Sequence, residues 1–270
     1  MNWWKAGLVI HWQGVECAFY AAFYRVATLG SGAGVAAIYY FNERGVPYSK
    51  GTGLYTIEYM LHKVSIALFA GIFFILNWGY MQKYYSQYDM TLLIGFGVTF
   101  VIAAVLLLFA CSKKFHEVLL WIVRKLNRSG KLTEQVKKLE EQCAILEDAA
   151  ATLLKRGGLI AGCILKNLLK FTFWYGIPFL ILAETGKLTL SQGLAVTSLA
   201  MMLAAVIPAP AGIGSSEFVL TMLLAKIVGT GAAGSVALLY RFATFVLPFV
   251  IGAVVVVLWR RVHRSTEKAA

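Results

Sequence analysis

Hydrophobic positions gather into long runs separated by short polar breaks, and a membrane-spanning helix needs about 20 mostly apolar residues. Such runs predict spans over 59–80 (with its most apolar part at 64–80), 92–110, 157–183 and 188–207. A further run, 233–259, qualifies with Arg241 embedded in it, and 208–230 reads as a broken crossing. The opening stretch, 3–28, is apolar but carries Lys5, His11, Glu16 and Arg25, so it reads as a span packed inside a bundle or tilted through the bilayer. Trp78, Tyr80, Trp174 and Trp259 are spaced like interfacial anchors.

One sizeable polar segment, 111–156, interrupts this pattern. Within it, "KKFHEVLLWIVRKL" puts Phe115, Leu119, Ile122 and Leu126 on one helical face, which suits a helix lying on a membrane surface. After "NRSG", Leu132, Val136, Leu139, Cys143, Leu146, Ala150 and Leu153 recur at alternating spacings of four and three. That stripe has two readings, a helical hairpin packed on its own bundle or a homodimer through 132–153.

Composition fixes the solvent. The chain has 270 residues, 59% hydrophobic and only 14% charged, with a mean hydropathy of +0.71. Soluble domains run at about half apolar and a quarter charged. The expected fold class is therefore all-α, a polytopic membrane helix bundle with two re-entrant or broken helical segments. The formal charge of +12 is unevenly placed: 113–156 holds ten Lys/Arg against six acids, and four more basic residues follow Trp259. By the positive-inside rule these clusters mark a cytoplasmic loop at 111–156 and a cytoplasmic C-terminus, not a nucleic-acid surface. Cys17, Cys111, Cys143 and Cys163 show no paired spacing, so free thiols are expected rather than a disulfide or zinc framework. The N-terminal stretch has too short an apolar run, and no small-residue cleavage site, for a signal peptide.

This orientation constrains "AVIPAPAGIGSSEF", residues 205–218. If 111–156 is inside, 92–110 runs inward, 157–183 outward and 188–207 inward again. The span 233–259 must start outside to end inside, so 208–232 has to carry the chain back across most of the membrane. Pro208 and Pro210 lack amide donors, and Gly212 and Gly214 permit backbone shapes that helices do not use. Non-helical backbone at membrane depth survives only where protein or a water-filled cavity satisfies it. "SSEFVLTMLLAKIVG" then restarts a helix, with Ser215 or Ser216 at its N-cap and Glu217 in its first turn. Such a helix start is an anion site, or a kink capped by its own glutamate.

Other charges in apolar surroundings extend the candidate site. Arg241 lies about 12 Å into its run, where an arginine needs a partner, either Glu217 or a phosphate that its guanidinium can grip twice. Lys166 and Lys170 share a helical face with Asn167 beside them, with Lys166 about 13 Å from the Gly157 end. They read as a positive lining, or as cytoplasmic residues if the span begins near Lys170. A second glycine-rich break, "TLGSGAGVAAIYYFNERG" at 28–45, is preceded by Arg25 and lacks the strand–helix setting of a nucleotide loop, so it reads as re-entrant. "YRVAT" (24–28) and "YRFAT" (240–244) share four of five residues, one before the first break and one after the second, as paired halves of a transporter would. No hydrolytic triad, zinc motif or P-loop occurs; the four histidines are far apart in sequence, and no metal or cofactor is expected.

"PAPAGIGSSEF" followed by "LLYRFATFVLPFVIG" resembles the proline-glycine-glutamate signature and later Tyr-Arg segment of the lysylphosphatidylglycerol synthase transmembrane region. This is the flippase part of the bacterial multiple peptide resistance factor. The segment from Leu29 to Phe69 is similar to that family's earlier glycine-rich re-entrant stretch and following helix. The resemblance covers most of 20–258, with alanine at 211 where the family has the first of two glycines. It implies a multi-pass protein of the bacterial inner membrane that binds or moves anionic or lysyl-modified phospholipid. The aminoacyl-transferase domain to which full members join this region has no counterpart in these residues. The implied site comprises Arg241, Glu217, Ser215, Ser216, Gly212, Gly214, Lys166 and Arg25. Two further readings stand beside a lipid flippase: an ion-coupled transporter of a small anion, and an inactive membrane subunit of a lipid-aminoacylation system.

Overall fold

The computed structural model describes residues 3–86, 94–95, 97–102, 104–105, 108, 113–126, 133–154, 157–207 and 209–267. They form helices without strands: α1 (Trp3–Ala27), α2 (Gly32–Asn42), α3 (Tyr48–Leu76), α4 (Trp78–Tyr85), α5 (Lys113–Leu126), α6 (Thr133–Leu154), α7 (Gly157–Leu182), α8 (Leu190–Ala204), α9 (Ser215–Val228), α10 (Thr230–Arg241) and α11 (Leu247–Glu267). The all-α membrane architecture read from the sequence is thus the one observed. Three stretches among the described residues are long and apolar enough to cross a membrane: Tyr48–Leu76, Pro210–Val228 and Thr230–Arg261. Much of the expected span 92–110 lies outside the described residues, as does Pro208; the described positions within 92–110 are helical.

Two helical hairpins enter the bundle from opposite ends. The first is α1–α2, turning at residues 28–31, with Tyr40 of α2 packed back beside Glu16 and Tyr20 of α1. The second is α8–α9. Leu190–Ala204 has 15 residues, so it rises about 22 Å and stops short of the roughly 30 Å hydrocarbon core. It therefore covers less than the expected 188–207 span: the chain turns at 205–207, ahead of Pro208, whose missing amide cannot continue the ladder.

The depth of each turn follows from its neighbours. Gly229 joins α9 to α10 at one end of the bundle, and Glu217 meets Arg241 at the other end of that pair, so the two helices are antiparallel. Asn77, just past α3, donates to the Ser191 hydroxyl at 2.8 Å, tying the start of α8 to the end of α3. The start of α8 is held further by a capping box in which Thr189 and Gln192 satisfy each other's amides. At the opposite end, Phe23 stacks on Phe249 at 5.3 Å and Tyr20 packs against Trp259 at 5.3 Å, which sets α1 antiparallel to α11. Arg241 lies between these two ends.

A π-helical turn, Phe242–Val246, separates α10 from α11. Its extra residue rotates the helix face, so α10 packs on α9 while α11 packs on α1. The main core, with Leu199, Met202, Leu220, Leu223, Leu224 and Tyr85 all buried, surrounds α8–α10. Tyr85 seals it by donating to the Leu223 carbonyl at 2.9 Å.

The polar segment folds back on this bundle. Val136 and Cys143 of the heptad stripe are buried, and α6 packs against α3, α5 and α7, so the stripe is used within the chain. The side chains of Leu146, Ala150 and Leu153, and all of Leu132, lie outside the described residues. On α5, Phe115 and Leu119 are half-buried beside the buried His116, while the exposed apolar ridge is Val118, Trp121 and Ile122. Cys17 and Cys163 are free thiols, as their spacing implies, and Cys111 lies outside the described residues.

Close packing of α1 on α11 depends on Gly252, where a Cβ would collide with the Phe19 carbonyl and meet Phe23 at 3.0 Å. Gly252→Ala should therefore destabilise the protein by about 1–3 kcal/mol, as overpacking does. Gly71→Ala, with open space around it, should be neutral or slightly stabilising. Thermal unfolding of the two variants in detergent checks the contrast.

Candidate functional site

The second hairpin turns through backbone that is not helical. Ala211 (φ 53°), Gly212 (φ 69°) and Gly214 (φ 83°) all have left-handed torsions, which glycine accepts freely and alanine does not. This places Gly214, rather than Ser215 or Ser216, at the N-cap of α9, because helical torsions begin only after its positive φ. Ser215 and Ser216 are buried in the first turn; Ser215 donates backward to the Gly212 carbonyl at 3.3 Å, and the Ser216 oxygen lies 2.8 Å from the same carbonyl.

Glu217 closes this turn on itself. Its Oε2 accepts from the Gly214 amide at 2.9 Å and from the Ser216 hydroxyl at 2.8 Å, filling the anion-attracting start of α9 with the chain's own carboxylate. Oε1 accepts from Arg241 Nε at 3.0 Å. The same guanidinium donates through Nη2 to the Ala211 carbonyl at 2.9 Å and lies 4.0 Å from the centre of the Phe245 ring. Arg241 thus staples the turn to α10, and its Nη1 makes no hydrogen bond among the described residues.

The first hairpin meets the second at this point. A Cβ on Gly30 would lie 3.2 Å from the Ala211 amide nitrogen, so the two turns touch through backbone. Gly30 and Leu29 have positive φ, and Thr28 organises the turn by accepting from the Gly32 amide at 2.6 Å and donating to the Tyr24 carbonyl at 2.6 Å. Thr244 makes the same backward bond to the Tyr240 carbonyl at 2.8 Å, although 242–244 lie in the π-helical turn and 24–27 end an α-helix.

Arg25, one helical turn before the first tip, is near enough to Arg241 for the two charges to repel, with Tyr55 and Tyr59 as its other neighbours. Its side chain is accessible and makes no ion pair or hydrogen bond among the described residues. Arg25 thus adds a second guanidinium beside the one that Glu217 holds.

Other charges fall elsewhere. Lys166 is exposed and has no polar partner among the described residues, whereas Lys170 reaches Asn167 Oδ1 at 3.0 Å and His62 Nδ1 at 3.1 Å. His62 escaped sequence reasoning because it is a lone histidine, and only the packing of α3 on α7 brings it to Lys170. Glu16 is resolved as a structural pair: it accepts from Arg44 Nη2 at 2.9 Å and from the Tyr40 hydroxyl at 2.6 Å, clamping α1 to the end of α2.

Two helical hairpins that meet at Gly30 and Ala211, the second held by an arginine–glutamate pair, accompany a family match over residues 10–252. The chain belongs to the lysylphosphatidylglycerol synthase TM region family. Membership makes it a membrane protein linked to lysylphosphatidylglycerol handling. No curated protein and no solved structure matches the chain.

Two outcomes follow from this geometry. Ala211→Gly should stabilise the protein by about 1 kcal/mol by releasing left-handed strain. Glu217→Gln should destabilise it by about 3 kcal/mol, because Arg241 keeps its charge and loses its counter-ion. A double-mutant cycle with Arg241→Gln checks the pairing: the double variant should lose less stability than the two single losses added together.

Proposed function

We propose that this protein binds and translocates an anionic or lysyl-modified phospholipid such as lysylphosphatidylglycerol, with the phosphate held at the junction of the two hairpin tips. The observation that carries this reading is the charge imbalance there: among the described residues Arg25 has no counter-ion, and Arg241 makes no hydrogen bond through its Nη1 donors beside it. Two guanidiniums at membrane depth favour a phosphate that can accept from both. Because Glu217 already fills the start of α9, the free cation at Arg25, rather than the helix terminus, is the anchor. Glu217 orients Arg241.

The surroundings suit a lipid. An apolar recess lined by Ile66, Ile102, Met202, Ala205 and Val206 opens beside Lys63 on α3, offering an acyl chain a path next to cationic side chains. In this reading 111–156 and the basic tail lie on the cytoplasmic side of a bacterial inner membrane. The opposed hairpins also fit an ion-coupled transporter of a small anion, since such proteins place their sites between broken helices.

Reconstitution separates the two. In liposomes containing lysylphosphatidylglycerol, the wild-type protein should expose the headgroup to an external probe, and Arg25→Gln and Arg241→Ala should slow this at least about tenfold, the loss of one charged contact worth roughly 1.4 kcal/mol. Unchanged flipping by both variants would remove the site assignment. Gradient-driven uptake of a small anion without lipid movement would favour the transporter.

A further inference from the structure

His62 and Lys170 meet half-way along α3 and α7, outside the Arg241–Glu217 network. Lys170 Nζ lies 3.1 Å from His62 Nδ1 and 3.0 Å from Asn167 Oδ1, and the Phe171 ring flanks both partners. An ammonium group has donors and no acceptor, so the contact with Nδ1 needs that nitrogen unprotonated. In the reverse assignment a neutral amine accepts from Nδ1–H. Either way one proton sits between the two nitrogens; with Lys170 charged and His62 neutral, a further proton would set two cations 3.1 Å apart.

The charged groups facing this pair come from three helices. Arg25 of α1 and Lys63 of α3 act on His62, Glu58 of α3 acts on Lys170, and Asn167 of α7 hydrogen-bonds within the cluster. One carboxylate stands among the cations, so a second proton is accommodated when further negative charge arrives. Arg25 is the position at which the lipid phosphate would supply it.

We propose that the His62–Lys170 pair is a proton-binding site coupled to anion binding at Arg25, so that the protein takes up one solvent proton as the anionic headgroup binds and releases it as the headgroup leaves. The inference rests on the reading of Arg25 as a phosphate anchor. Linkage then requires reciprocity: the anion favours the proton, and the proton favours the anion by the same factor. A proton gradient would bias lipid movement if binding and release occur toward opposite faces.

The test uses the purified full chain in phosphatidylcholine nanodiscs, titrated with short-chain phosphatidylglycerol in weak buffer containing a pH indicator. Wild-type protein should take up roughly one proton per lipid bound, and over the pH range in which it does so its affinity should rise about tenfold for each unit fall in pH. His62→Gln keeps an acceptor for Lys170 but cannot be protonated; it should bind the lipid with no uptake and no pH dependence. Lys170→Gln, a second variant should the first fail to fold, removes the cation nearest the imidazole, and the pH range of uptake on lipid addition should move upward. Lipid binding without proton uptake in the wild type, or uptake retained by His62→Gln, overturns the coupling and leaves the Arg25 site standing. Unchanged lipid binding by Arg25→Gln overturns the phosphate reading itself, and the coupling with it.

Discussion

A hydrogen-bonded arginine makes it possible for this chain to be non-helical in the middle of a membrane protein. Backbone groups that leave a helix within a bilayer cannot turn to lipid, so protein must satisfy them. Arg241 does this for the second hairpin: it donates to the Ala211 carbonyl and to Glu217, and Glu217 accepts from the Gly214 amide. Each partner removes a charge or dipole that another would leave unmet. The π-helical turn after Arg241, and the packing of α10 on α9, keep the guanidinium aimed at that turn.

From this staple the rest of the architecture follows. With α8 and α9 both about 21–22 Å long, their turn is held at mid-bundle, and the first hairpin meets it there through Gly30. The match between "YRVAT" and "YRFAT" acquires a structural meaning, because both segments form the same backward threonine bond and both deliver an arginine to the junction. They differ in consequence. Arg241 is committed to Glu217 and Ala211, whereas Arg25 has no such partner among the described residues. One arginine holds the fold, and its counterpart is the one we propose as the anion anchor.

Much of this was legible in the sequence, for physical reasons that can be named. Apolar run length exposed the membrane class, and the glycine-proline breaks marked both turns, because so few residue types tolerate those torsions. Positive-inside reasoning required 208–232 to return toward the opposite side, and α9 does so. Buried charge pointed to the Arg241–Glu217 pair, which needed a partner within reach. Pairings that depend on helix rotation stayed hidden: Glu16 with Arg44, and His62 with Lys170, join residues 28 and 108 positions apart, and no local pattern records which faces meet. The N-cap shifted from serine to Gly214 because a left-handed turn, invisible to residue preference, sets where α9 begins.

Contact between the two hairpin tips is the claim on which the anion site depends. A Cβ on Gly30 would lie 3.8 Å from that of Ala211, within the spacing of about 3.5–4.5 Å that a disulfide requires. In a protein whose four native cysteines are replaced by alanine, the Gly30→Cys/Ala211→Cys pair should therefore cross-link on mild oxidation in native membranes. Pairing Gly30→Cys with Ala195→Cys, inside α8, should give no cross-link. Absence of the first, or equal yield from both, would contradict the meeting of the hairpins.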